Sequence, residues 1–100
     1  MPYHIETWDK DGHMPVRMVH RGVHLEYLEK NKHLLLACGA KVNDDGTEQG
    51  GGIYIVDVET REEAESFIDA DPFSRVELFK KVQITRWRRA YLDGKLLTAT

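Results

Sequence analysis

One cysteine, Cys38, in 100 residues excludes an internal disulfide and a Cys-rich zinc framework. Proline is scarce, three residues in all, and no Pro-, Gly- or Ser-rich stretch, repeat or low-complexity run marks a linker. Basic charge is also short. Fourteen Lys and Arg against seventeen Asp and Glu leave a formal net charge of −3, whereas phosphate neutralisation wants a clear basic surplus, so no nucleic-acid partner is expected. No apolar run approaches the ~20 residues that span a bilayer, so no membrane partner is expected either. The opening MPYHIETWDKDGHM is too polar for a signal peptide, which makes the cytoplasm the expected address.

What is present is an ordinary globular mixture, 41% hydrophobic and 31% charged, sized for a single domain. A chain this short buries only about 65% of its unfolded surface, so a deep substrate pocket is expected to need a second subunit.

Tyr3 to Trp8 alternate two sets of side chains, Tyr3/Ile5/Thr7 and His4/Glu6/Trp8, which is the period of a strand. From Pro15 to about Lys32 the period changes. Val16, Val19, Val23 and Tyr27, with Met18, Leu25 and Leu28, recur at helical steps and predict one apolar helical side. Gly22 inside this helix predicts a local kink or a close approach. Leu34–Val42 reads as a strand closed by the Asn43-Asp44-Asp45-Gly46 turn, and Gly52–Val58 as the next strand, with Gly50-Gly51-Gly52 as a flexible flank. Thr60-Arg61-Glu62-Glu63 is a capping box opening a helix that turns Ala64, Phe67 and Ile68 inward. That helix should end before Asp71-Pro72, because the residue before proline is pushed out of helical geometry, which sets Asp71 at a helix end. A further short helix over Pro72–Leu78, a last strand over Lys81–Arg88 and a tail with a turn at Asp93-Gly94 complete the chain. The order β-α-β-β-α-β is that of an α+β, ferredoxin-like domain with a four-stranded antiparallel sheet. Leu34–Cys38 and Ile53–Val56 are apolar on both alternating faces, yet two helices cover only one face of such a sheet. A homodimer packed sheet to sheet is therefore expected, with Trp87 on the face opposite Val82 and Ile84.

The densest chemical segment is Arg17 to Leu25. Helical spacing sets Arg17, His20 or Arg21, His24 and Leu28 on one stripe. Either this is a solvated basic face, or two histidines and two arginines line a path into the apolar side, where His24 needs a partner for its ring nitrogens. His20 and His24 have the spacing of a helical metal pair, but Arg21 stands where a zinc-protease helix carries its glutamate, no third ligand is apparent, and the arginines repel a cation. No metal is expected. Asp71 is either a simple turn former or, at the unfavourable C-terminal end of a helix dipole, a carboxylate seeking a basic partner. Two helices side by side on one sheet face would let His24 and Asp71 meet, giving an oriented general base. Cys38, in an apolar strand without a basic neighbour, reads as an inert core thiol. Asn43–Glu48 fails as a calcium loop, with Lys41 at the first ligand position and Gly52 at the last. The run Arg86–Arg89 reads as an exposed end strand whose charges discourage edge pairing.

Arg21-Gly22-Val23-His24-Leu25-Glu26-Tyr27-Leu28, Cys38-Gly39, Gly52-Ile53-Tyr54-Ile55-Val56 and Asp69-Ala70-Asp71-Pro72-Phe73 together resemble the YCII-related family. The resemblance runs from about Tyr3 to Trp87, departing at Gly22, where many relatives have proline, and in the tail after Arg88. It implies a YCII-like core over about 3–88 and a tail over 89–100, with ferredoxin-like protomers paired as a dimeric α/β barrel. It also implies a His-Asp dyad, falling here on His24 and Asp71. The family's best-understood activity removes HCl from 5-chloro-2-hydroxyhydroquinone to leave 2-hydroxy-1,4-benzoquinone. The implied function is thus a cofactor-free lyase on a small hydroxylated aromatic, with chloride as product. Arg17, Arg21 and His20 would bind the substrate and Phe73 and Trp87 would stack on its ring. The alternative is a non-catalytic dimer that binds a small ligand or serves as an adaptor through the same cleft.

Overall fold

Strand β1 (Tyr3–Asp9) sets the frame, because its alternation sends Tyr3, Ile5, Thr7 and Asp9 to one side, all buried. In the computed structural model, which describes residues 1–97, β1 lies between two antiparallel neighbours. Ile5 faces Tyr54 of β3 (Glu48–Val56) and Ile84 of β4 (Phe79–Arg86). β2 (Leu35–Val42) pairs with the far side of β3, giving the order β2-β3-β1-β4. Helices α1 (Met14–Lys30) and α2 (Arg61–Asp69) supply the two crossovers, so the sheet and connections are ferredoxin-like. A short helix α3 (Pro72–Arg75) precedes β4, and a small hairpin, β5 (Tyr91–Leu92) and β6 (Lys95–Leu96), follows it. The part of the tail beyond 97 lies outside the described residues.

The core sits on one sheet face. Tyr3, Ile5, Tyr54 and Val56 meet Val58, Ala64, Phe67 and Ile68, with Tyr27 and Leu28 of α1 packed against them. The inward set of α2 is the expected one. Its capping box is also formed: Thr60 Oγ1 accepts from the Glu63 amide at 3.1 Å, and Glu63 Oε1 accepts from the Thr60 amide at 3.0 Å.

Four expectations are corrected. First, α1 does not bury its apolar side. Met18, Val19, Val23 and Leu25 are exposed while Arg17 and His24 are buried. The reason is that the surface under α1 carries two carboxylates, Asp9 and Asp71, which engage positions 17 and 24 and fix the rotation of the helix. Second, Gly22 makes no close approach, since a Cβ there would meet open space, and α1 runs on past it from Met14 to Lys30. Third, the triple glycine belongs to β3 itself. Gly51, at φ +132°, lies so close to β1 that a Cβ would overlap the carbonyl oxygen of Thr7. Fourth, the helix ends before Asp71-Pro72 as expected, but Asp71 is not an anion at its C-terminal end. α2 closes at Ala70, and Asp71 is the N-cap of α3, its carboxylate accepting the Phe73 amide at 2.8 Å. An anion at an N-cap meets the favourable end of the dipole, so the electrostatic cost expected of it does not arise.

Two glycine substitutions test this description in opposite directions. Gly51→Ala should lower unfolding stability by about 2–4 kcal/mol, through strain at a positive φ and collision with β1. Gly22→Ala should raise it by about 0.5–1 kcal/mol. Urea denaturation of the two variants beside the wild type reads both.

Candidate active site

Beneath α1 a polar cluster is closed off from solvent. Asp71 is fully buried, and three donors converge on its carboxylate. His24 Nδ1 lies 2.9 Å from both oxygens, the Phe73 amide donates to Oδ1 at 2.8 Å, and the Tyr54 hydroxyl donates to Oδ2 at 3.4 Å. An acceptor-only carboxylate satisfies all three. Because the sole partner of Nδ1 is that carboxylate, the neutral tautomer carries its proton on Nδ1 and its lone pair on Nε2. Nε2 has no protein partner among the described residues, yet it is not among the sealed polar atoms, so it meets solvent space. Burial first, and then the charge of Asp71, push the Tyr54 phenol far above its ordinary range, which keeps it a donor. The same two causes raise Tyr27, whose hydroxyl donates to the Phe67 carbonyl at 2.7 Å.

The imidazole is held from a second direction. Phe73, fully buried, stacks on the His24 ring with centroids 4.0 Å apart and planes 16° from parallel. The guanidinium of Arg17 lies 4.7 Å from the same phenyl centroid and forms a buried ion pair with Asp9, Nε to Oδ2 at 2.7 Å and Nη2 to Oδ1 at 3.3 Å. Asp9, Arg17, Phe73, His24 and Asp71 thus form one continuous set of contacts from β1 across α1 to α3.

Above this set is a cavity of about 200 Å³ whose walls include Arg17, Arg21, His24, Cys38, Gly39 and Tyr54. That is below the range of about 300–1,000 Å³ typical of drug-sized ligands and suits a single ring. Arg21 makes no ion pair among the described residues, so of the two arginines it is the one with free charge for an anion.

Of the residues singled out from the sequence, Arg17, Arg21 and His24 come together in this cavity with Asp71 directly behind them. His20 is half-buried on α1 and is not part of the wall. Phe73 is corrected: fully buried against His24, it is packing behind the imidazole and has no surface left to stack on a ligand. Trp87 is corrected as well. It lines a separate hollow of about 380 Å³ with His4, Glu6, Ile55, Gln83 and Thr85, on the sheet face away from the helices. Cys38 is not a core thiol but exposed, on the wall of the first cavity. Sequence reasoning missed Asp9 and Tyr54. Asp9 lies one step beyond the Tyr3-Ile5-Thr7 alternation already traced, so the period would have found it, whereas Tyr54 sits in a strand apolar on both faces and its period gave no such signal. No group of three or more His, Cys, Asp or Glu able to hold a metal occurs among the described residues.

Residues 1–88 match the YCII-related domain family. Among solved structures, 5-chloro-2-hydroxyhydroquinone dehydrochlorinase from Burkholderia phenoliruptrix, in complex with 2,5-dihydroxybenzoquinone, is similar at 30% identity and a TM-score of 0.80, over 88% of this chain and 94% of that one. A protein from Agrobacterium tumefaciens is similar at 18% identity and a TM-score of 0.52, over 97% of this chain and 100% of that one. An antibiotic biosynthesis monooxygenase follows at 16% and 0.50, over 89% of this chain and 100% of its own; these last two speak to the fold alone. No curated protein matches. With the family's domain spanning residues 1–88 of its 100, the chain belongs to the YCII-related family.

Proposed function

We propose that this chain is a cofactor-free lyase that removes HCl from a chlorinated hydroxyhydroquinone, 5-chloro-2-hydroxyhydroquinone, giving 2-hydroxy-1,4-benzoquinone. The observation that carries this is the free Nε2 of a buried, carboxylate-anchored His24 at a single-ring cavity, in a chain sharing its fold with a dehydrochlorinase at 30% identity.

The reaction is redox-neutral and balances as two proton movements and one bond cleavage. A phenol next to the chlorinated carbon loses its proton while that carbon gains one, giving a ketone beside an sp³ C–Cl centre. Loss of a proton from the opposite hydroxyl then sends electrons through the ring and expels chloride. His24 serves both proton movements through Nε2. Asp71 fixes the tautomer and stabilises the imidazolium formed between them, while Phe73 and the Tyr54 hydroxyl hold ring and carboxylate still. Arg21 holds the phenolate and the departing chloride. Arg17, already neutralised by Asp9, positions Phe73 rather than drawing an anion alone.

The same proposal includes a homodimer acting in the cytoplasm. Ile53, Ile55 and Trp87 lie on the helix-free sheet face, Ile53 is 37% exposed, and the Trp87 indole nitrogen is buried without a partner among the described residues. A second sheet laid on this face would cover them.

Chloride release from 5-chloro-2-hydroxyhydroquinone, measured anaerobically, tests the reaction. Wild type should release chloride. His24→Ala should lose about 10²- to 10⁴-fold in rate while keeping its circular dichroism spectrum, and Asp71→Asn should fall in the same direction. Binding of the aromatic without any chloride release would instead make the chain a ligand-binding module. Sedimentation should give a dimer for wild type and a monomer for Ile53→Lys, since a lysine at the centre of that face would bury an unpaired charge.

A further inference from the structure

Cys38 has no part in the proton movements above. It stands on β2 opposite Tyr54 of β3, exposed, on the wall of the cavity that also holds Arg21 and His24. A second observation at the same place points to a ligand. The His24 side chain is only 9% exposed, yet it leaves Nε2 without a partner in that cavity. We infer that Cys38 is a covalent modification site for para-quinones that enter the cavity. The inference rests on the reading of this cavity as a single-ring quinone site.

The step is a conjugate addition. Sulfur gives its electron pair to a ring carbon, the C–S bond forms, and the displaced π electrons move onto a carbonyl oxygen, which takes a proton from water. The proton on the attacked carbon then leaves to solvent, the other carbonyl oxygen takes one up, and the aromatic ring is restored. The thiol proton goes to solvent, and the quinone is reduced to a hydroquinone thioether with no outside reductant. The groups facing Cys38 are Arg17, Arg21 and His24 from α1, Tyr54 from β3 and Asp71 from the N-cap of α3. Partial desolvation, and then the negative charge of Asp71, push its thiol up from the ordinary value. The thiolate is the nucleophile, so at neutral pH the side chain stays mostly protonated and the addition is slow; as pH rises toward the thiol pKa, the rate should grow by about tenfold per pH unit.

The probe is 1,4-benzoquinone, incubated anaerobically with the intact protein and followed by mass spectrometry. Because the chain has a single cysteine, one added quinone that disappears in Cys38→Ser locates the adduct. The rate should saturate with quinone concentration, fall several-fold when 2,5-dihydroxybenzoquinone is added as competitor, and rise between pH 7 and pH 9. A rate that grows linearly with quinone, matches that of a short cysteine peptide and ignores the competitor would reduce Cys38 to an ordinary surface thiol and overturn the inference. The absence of any adduct at pH 9 would overturn it too. Chloride release by the wild type combined with non-saturating alkylation removes this site and leaves the proposed reaction standing. Saturating alkylation without chloride release does the reverse.

Discussion

The fully buried carboxylate of Asp71 is the constraint on which the rest of the site depends. A charge withdrawn from water in this way is tolerable only where donors surround it, and here three elements each supply one: the Phe73 amide from α3, the Tyr54 hydroxyl from β3 and the His24 ring from α1. Satisfying the carboxylate therefore fixes how α1 is rotated, where α3 begins and which nitrogen of His24 faces the cavity. The ion pair of Asp9 with Arg17, seven residues before His24 on the same helix face, fixes the rotation a second time. Between them lies Phe73, in contact with both basic side chains.

This arrangement explains why α1 looks inverted. An amphipathic helix ordinarily buries its apolar stripe, at about 25 cal/mol for each Å² removed from water. Here the N-terminal two-thirds of the helix lies over carboxylates, and leaving those unpaired would cost several kcal/mol each, more than the exposure of four aliphatic side chains. Only toward its C-terminal end, at Tyr27 and Leu28, does α1 join the apolar core. The helix is thus anchored by hydrophobic packing at one end and by charge at the other.

The fold was legible from the sequence because its signals are local. The alternation of β1, the capping box at Thr60 and the hairpin turn after Val42 each follow from side chains a few residues apart. The pairing of His24 with Asp71 was legible for a different reason: the topology brings the elements that carry them together across 47 positions, although the dipole argument for Asp71 did not hold. What stayed hidden was decided by tertiary contacts. The inward turn of Arg17 depends on Asp9, the exposure of Cys38 depends on a cavity between α1 and β2, and the burial of Phe73 depends on the ring stacked against it. The boundary between α2 and α3 was legible, but the role of Asp71 was misread, because an Asp-Pro pair closes one helix and opens the next equally well and the Phe73 amide decides between them.

That amide carries one more consequence. The N–H of Phe73 is at once the first capping bond of α3 and a direct ligand of the carboxylate that orients His24. Its proton resonance should therefore register any change of charge or position at Asp71. The backbone itself supplies a spectroscopic reporter, one hydrogen bond from the His24–Asp71 contact, able to follow the site without label, substrate or mutation.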